Sequence, residues 1–134
     1  MKYSFTEKEN YLSVNVSGYF SLSDAKKMFT EGLEMLVEKN ISKILFDAYK
    51  VKGKVTTMDR FDLAEYAAVE AINFILKGLS KLSVAFYGVE PIIDPERFGE
   101  LVAKNRGLNV KVTTDKKEAL NFLENGWYIL FPLL

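Results

Sequence analysis

The chain has no cysteine and no histidine among its 134 residues. The first absence excludes disulfides, thiol catalysis and thiolate metal sites, and it fits a reducing, cytoplasmic setting. The second removes the commonest general base and the commonest metal ligand. Neither sign of charge is in excess: 18 basic residues balance 18 acidic ones. With no global field, no nucleic-acid partner is expected, and net charge does little to discourage self-association. No apolar run approaches the roughly 18 residues of a membrane span, and the opening "MKYSFTEKEN" lacks the apolar core of a signal peptide. A Gly-rich phosphate loop, a metal cluster and a Ser-His-Asp set are missing too, and spacing singles out no pair of carboxylates. The expectation is therefore a protein with no enzymatic activity, no catalytic residue, no cofactor and no metal.

What is present reads as alternating strands and helices. In "KYSFTEKENYLSVNVSGYF", Tyr3 and Phe5 alternate with polar residues, as do Leu12, Val14 and Val16. That period of two marks a hairpin with one buried face. "SLSDAKKMFTEGLEMLVEKN" predicts a helix, capped by Ser21 with Asp24 or equally well by Ser23, whose apolar stripe is Ala25, Met28, Phe29, Leu33, Leu36 and Val37, and which ends in a left-handed turn at Asn40. "SKILFDA" and "KLSVAFYG" are short apolar runs, as buried inner strands require. "MDRFDLAEYAAVEAINFILKG" predicts a long helix with Phe61, Ala64, Ala68, Ala71, Ile72 and Ile75 on one stripe. "DPERFGELVAKNRG" predicts a helix capped by Asp94, with Pro95 at its first position and Gly107 past its end. "NVKVTT" is a fifth strand. "DKKEALNFLENG" is a last short helix, with Asp115 and Glu118 as a capping box. The fold class is thus α/β: a mixed five-stranded sheet, an N-terminal hairpin followed by three βα crossovers, packed on four helices.

Between "KILFDA" and the second helix lies "YKVKGKVTT". Thr56 with Asp59 fits a capping box. Lys50, Lys52, Lys54 and Arg60 surround the same helix start. Free N–H groups and the helix dipole there attract anions, so these four are candidate contacts for an anion or a partner, the alternative being a solvated basic loop.

The order of elements, with "LSVNVSGYFSLSDAKKMFTEGLEML", "KILFDAYKV", "KVTTMDRFDLAEY" and "RGLNVKVTTDKKEALNFL", resembles the STAS domain, the fold of sulfate-transporter and anti-sigma-factor-antagonist proteins. The resemblance spans residues 2 to 124. It implies a non-enzymatic regulatory or protein-interaction module whose partner is an anti-sigma factor or a kinase-like regulator. It also implies a phosphoacceptor at the start of the second helix, where Thr56 or Thr57 takes that place, although the aspartate before and the glycine after the family's acceptor are missing. A looser likeness to the CRAL-TRIO lipid-transfer fold implies the alternative, a module for a small anionic ligand or a lipid. An apolar cavity under the second helix, near Phe61 and Tyr66, would favour it.

The whole chain, 1–134, reads as one domain with an apolar tail at 126–134. Trp127, Tyr128, Ile129, Leu130 and Phe131 crowd together there, too few to cross a bilayer and too apolar to stay in water. Burial is expected, either across the chain's own sheet or helices or as a subunit interface or partner-docking strand, and a homo-oligomer is the expected assembly.

Overall fold

A computed structural model describes residues 1–78 and 81–130, with side chains as far as Asn125. Its elements are β1 (Lys2–Glu7), β2 (Leu12–Tyr19), α1 (Leu22–Lys39), β3 (Lys43–Lys52), α2 (Thr57–Leu76), β4 (Ser83–Tyr87), α3 (Phe98–Asn105), β5 (Val110–Thr113) and α4 (Lys116–Leu130). The five strands form one sheet in the order β1-β2-β3-β4-β5. β1 is antiparallel to β2, and every other pair is parallel. The mixed sheet and four helices are as the sequence predicts, and β3 and β4 are both inner strands.

Strand order and chain order coincide from β2 to β5. Crossovers of one hand must then lie on one face, and α1, α2 and α3 share a single large core with that face of the sheet. The chain leaves β5 in the other direction, and among the described residues α4 alone covers the opposite face. β3 shows the division directly. Ile44 and Phe46 point into the large core, while Leu45 meets Ala85, Ala119 and Leu123 under α4. At the centre of the large core Phe46 is fully buried, stacked between Phe29 at 5.6 Å and Phe86 at 4.8 Å between ring centroids. α1 can lie close over these rings because it carries Gly32. A Cβ there would stand 2.8 Å from Ile44 Cδ1, closer than packed carbon atoms tolerate.

Several expectations are corrected. In α2 the buried face is Ala64, Ala67, Ala68, Ala71 and Phe74, whereas Ile72 and Ile75 are exposed. The helix packs between α1 and α3 through its smallest side chains, and the β-branched ones are left outside. Val37 of α1 is likewise exposed. Asp94 does not open α3. Its carbonyl accepts from Arg97 N at 3.0 Å, so Asp94-Pro95 makes a turn, and the helix starts only at Phe98 after Arg97 has taken a left-handed conformation. Glu118 does not complete a capping box with Asp115; it pairs with Lys111 at 2.9 Å. α4 does not stop at Gly126 but continues to Leu130, so residues 127 to 130 are helical and are not a docking strand. The side chains of Trp127, Tyr128, Ile129 and Leu130, and all of Phe131, lie outside the described residues.

Candidate functional site

The carboxyl ends of β2, β3 and β4 and the start of α2 lie at one end of the sheet, and the predicted site residues divide there. Thr56 is the N-cap of α2. Its Oγ1 accepts from Asp59 N at 3.0 Å, and Asp59 Oδ2 accepts from Thr56 N at 3.0 Å, which is the full capping box. Such a cap is worth about 1 kcal/mol. Thr57 occupies the first helical position. It is exposed, and its hydroxyl has no hydrogen-bond partner among the described residues.

Lys50 and Lys52 are not in a loop, because β3 runs on to Lys52. What hides this in the sequence is a bulge. Asn15 pairs with Asp47 but Ser17 pairs with Lys50, so β3 spends three residues where β2 spends two. The extra residue resets the alternation. Val51 returns to the large core, and Lys50 comes to line a polar cleft on the α4 side of the sheet with Asn15, Asp47, Tyr49, Tyr87 and Lys116. In this cleft Tyr49 and Tyr87 stack at 5.9 Å, and Lys116 pairs with Asp47 at 3.2 Å. Lys50, Lys52 and Lys54 are exposed and form no ion pair among the described residues.

Arg60 parts from this group. Its Nη1 and Nη2 donate to the carbonyls of Ile92 and Pro91, each at 2.7 Å. A guanidinium so placed ties the first turn of α2 to the loop before α3. The same loop is built around Asp94. Its carboxylate accepts from Glu96 N at 3.2 Å and from Phe98 N at 2.9 Å. The backbone N–H of Phe98 above all, then that of Glu96 and the charges of Arg60 and Arg97, hold the carboxyl below its ordinary value of 3.8 against an opposing desolvation. A depressed folded pKa stabilises above the unfolded value and is lost as pH falls through the folded one. Asp94→Asn should therefore lower stability at neutral pH. The gap to the parent should close as pH drops below about 4, as urea titrations across pH 2 to 7 can show. A gap that persists unchanged in acid would mean that the charge of Asp94 contributes nothing.

Beneath that loop lies a cavity of about 140 Å³ between α2, α3 and the β4–β5 part of the sheet. Its walls include Leu63, Ala67, Ile92, Ile93, Ala103 and Leu108. Phe61 and Tyr66, expected to mark such a space, do not line it. The Phe61 ring carries the Arg106 guanidinium at 5.3 Å, and the Tyr66 hydroxyl bonds Thr30 on α1. Sequence reasoning considered a cavity under this helix but named the wrong residues for it; Ala64 and Ala67 on one helix and Gly99 and Ala103 on another are the small residues that line it.

Neither a family model nor a curated protein matches the sequence. Among solved structures, an anti-sigma factor antagonist from Mycobacterium paratuberculosis is similar, with a TM-score of 0.54 over 92% of this chain and 93% of that one at 13% identity. The chain has a STAS-like fold. At that identity the likeness is one of architecture. In the STAS-like frame the start of α2, with Thr57 exposed and Thr56 held in its cap, stands beside the end of β3 on the surface. Among the described residues of this STAS-like chain no cluster of acidic side chains could hold a metal ion, and no helix is long and apolar enough to cross a membrane.

Proposed function

We propose that this chain is a non-enzymatic regulatory module that docks an acidic surface of a protein partner with the end of its sheet formed by β2, β3 and the start of α2. One observation carries the reading. Tyr19, Tyr49 and Met58 are 75%, 55% and 66% exposed there, beside Lys50, Lys52 and Lys54, whose charges are unpaired among the described residues. Large amphipathic side chains next to unpaired cations have the character of a binding surface, with apolar anchors for affinity and charge for steering. The similar structure is named an anti-sigma factor antagonist, and by that likeness the partner is an anti-sigma factor or a kinase-like regulator. Thr57 is the phosphate acceptor of the pair, since its hydroxyl is free to react while that of Thr56 holds the cap. A phosphate at Thr57 would add nearly two negative charges to a basic docking face and repel an acidic partner. Trp127 to Phe131 form a second contact, between copies of the chain, a reading supported by their apolar composition.

The test compares proteins that co-purify with the parent chain from its own cell with those that co-purify with three variants. Lys50→Glu/Lys52→Glu and Thr57→Asp should each weaken capture of a stoichiometric partner about tenfold or more, and Thr57→Ala should not. Equal capture by the parent and both acidic variants would overturn the docking face. A loss confined to the lysine variant would overturn Thr57 as its switch.

A further inference from the structure

Open α/β sheets take ligands at the carboxyl ends of their strands, where the loops to the following helices begin. The cavity between α2 and α3 lies at that end. Phe20, Val55 and Ile92 line it from the loops that follow β2, β3 and β4, and Leu108 from the loop before β5. Its volume is about 140 Å³, and it opens to solvent. Small residues leave the space: Ala64 and Ala67 on α2, Gly99 and Ala103 on α3. A lining that is mostly apolar, with a few polar groups converging on it, is the usual form of a small-molecule site.

The polar groups here are Arg60, Asp94, Arg97 and Glu100. The two carboxylates are spent. Asp94 accepts from Glu96 N and Phe98 N, and Glu100 accepts from Val112 N at 2.6 Å and pairs with Lys104 at 3.4 Å. The two guanidiniums are not spent. Arg60 gives one N–H from each Nη to the carbonyls of Ile92 and Pro91, and Arg97 gives Nε to the carbonyl of Val112 and Nη1 to that of Asp94. A carbonyl takes a donor without neutralising the charge behind it. Asp94 lies near enough to feel both charges, yet neither arginine forms an ion pair among the described residues. Arg60 Nε and Arg97 Nη2 have no partner there. Both side chains are half-buried, and no buried polar side-chain atom among the described residues lacks a partner, so these two nitrogens are open to solvent. With Lys104 counted, the cations Arg60, Arg97 and Lys104 outnumber the carboxylates Asp94 and Glu100 by one.

We infer that this cavity binds a small apolar carboxylic acid as its anion, with the hydrocarbon body against Leu63, Ala67, Ile92 and Ala103 and the carboxylate on the free N–H groups of Arg60 and Arg97. A planar fork of N–H donors is the side chain best matched to a carboxylate. The apolar walls select against small hydrophilic anions. The single excess positive charge selects a monoanion, because a dianion would set its second charge against Asp94 and Glu100. None of Tyr19, Tyr49, Lys50, Lys52, Lys54, Thr57 and Met58 lines the cavity, so the site stands without the proposed docking face.

The experiment titrates the full chain at neutral pH with hexanoate, hexanol and hexylammonium, which share one hydrocarbon chain and differ in charge, and follows backbone amides by NMR. Hexanoate should give saturable shifts at Ala67, Arg97 and Ala103. Hexanol should bind about tenfold more weakly or worse, as the loss of a hydrogen bond between charged groups implies, and hexylammonium more weakly still. Arg60→Gln and Arg97→Gln should each weaken hexanoate about tenfold and leave hexanol unchanged, whereas Ala67→Leu should weaken both. Should a variant fail to fold, the order of the three probes on the parent chain decides alone. Linear, unsaturable shifts with hexanoate, or saturable shifts confined to residues outside the cavity, would overturn the site. Binding of hexanol as tight as that of hexanoate would overturn its preference for an anion. Unchanged hexanoate binding in both arginine variants would overturn the guanidiniums as its anchor.

Discussion

Replacing Phe46 by alanine should destabilise the protein by about 3–5 kcal/mol, the range for deleting a buried aromatic ring. The ring is fully buried and stacked on both sides, by Phe29 from α1 and by Phe86 from β4. Its removal empties the contact between the sheet and the helix layer. A domain of this kind has roughly 5–15 kcal/mol in hand, so the variant should lie near the threshold of folding. Urea denaturation measures the loss. A cost under about 2 kcal/mol would mean that the void collapses and that the stack is not the centre of the core.

The second large effect is expected on the other face. Leu123→Ala should cost about 2–5 kcal/mol, and the damage should be local. α4 is held by a small cluster in which Ala119 and Leu123 meet Leu45 and Ala85, with Tyr11, Tyr87, Leu120 and Phe122 around them. The ion pairs Lys116–Asp47 and Lys111–Glu118 also bind it. Pairs of that exposure contribute about 0–1 kcal/mol each, so the leucine decides. In hydrogen exchange the amides of α4 should lose protection first, while those of α1 and β3 keep theirs. Uniform loss across the chain would show instead that the two faces unfold as one unit.

The parts of this architecture that were legible in the sequence are those set by local rules. Alternation exposed the hairpin, short apolar runs exposed the inner strands, and Thr56 with Asp59 announced the cap that is found. Asn40 does end α1 with a φ of 56°. What was hidden depends on partners distant in sequence. The reach of β3 to Lys52 is hidden by a bulge that resets the side-chain period, so Lys50 and Lys52 look like loop. Asp94-Pro95 satisfies every local rule for a helix start, yet the turn to Arg97 intervenes because Arg97 is drawn to the carbonyl of Val112. Arg60 looks like a free cation at a helix start until the carbonyls of Pro91 and Ile92, some thirty residues away, are seen to take two of its donors. The cavity is hardest of all to read, since it is made by what alanine and glycine leave unfilled.

The contacts of Arg97 and Glu100 with Val112 bear also on how copies of this chain can meet. Both backbone groups of Val112, the N–H and the carbonyl, are taken by these two side chains, one from the residue before α3 and one from its first turn, and among the described residues β5 is the last strand of the sheet. That margin is therefore sealed at its middle against a further strand. The opposite margin is β1, with no neighbour beyond it in the sheet among the described residues. Among the described residues, backbone pairing between molecules has one open margin. Two copies that met through β1 would consume it in a closed, two-fold pair, and the resulting ten-stranded sheet would present a blocked margin at each end. The same pair of side chains that shapes a loop inside the monomer thus acts as a terminator against fibrous growth.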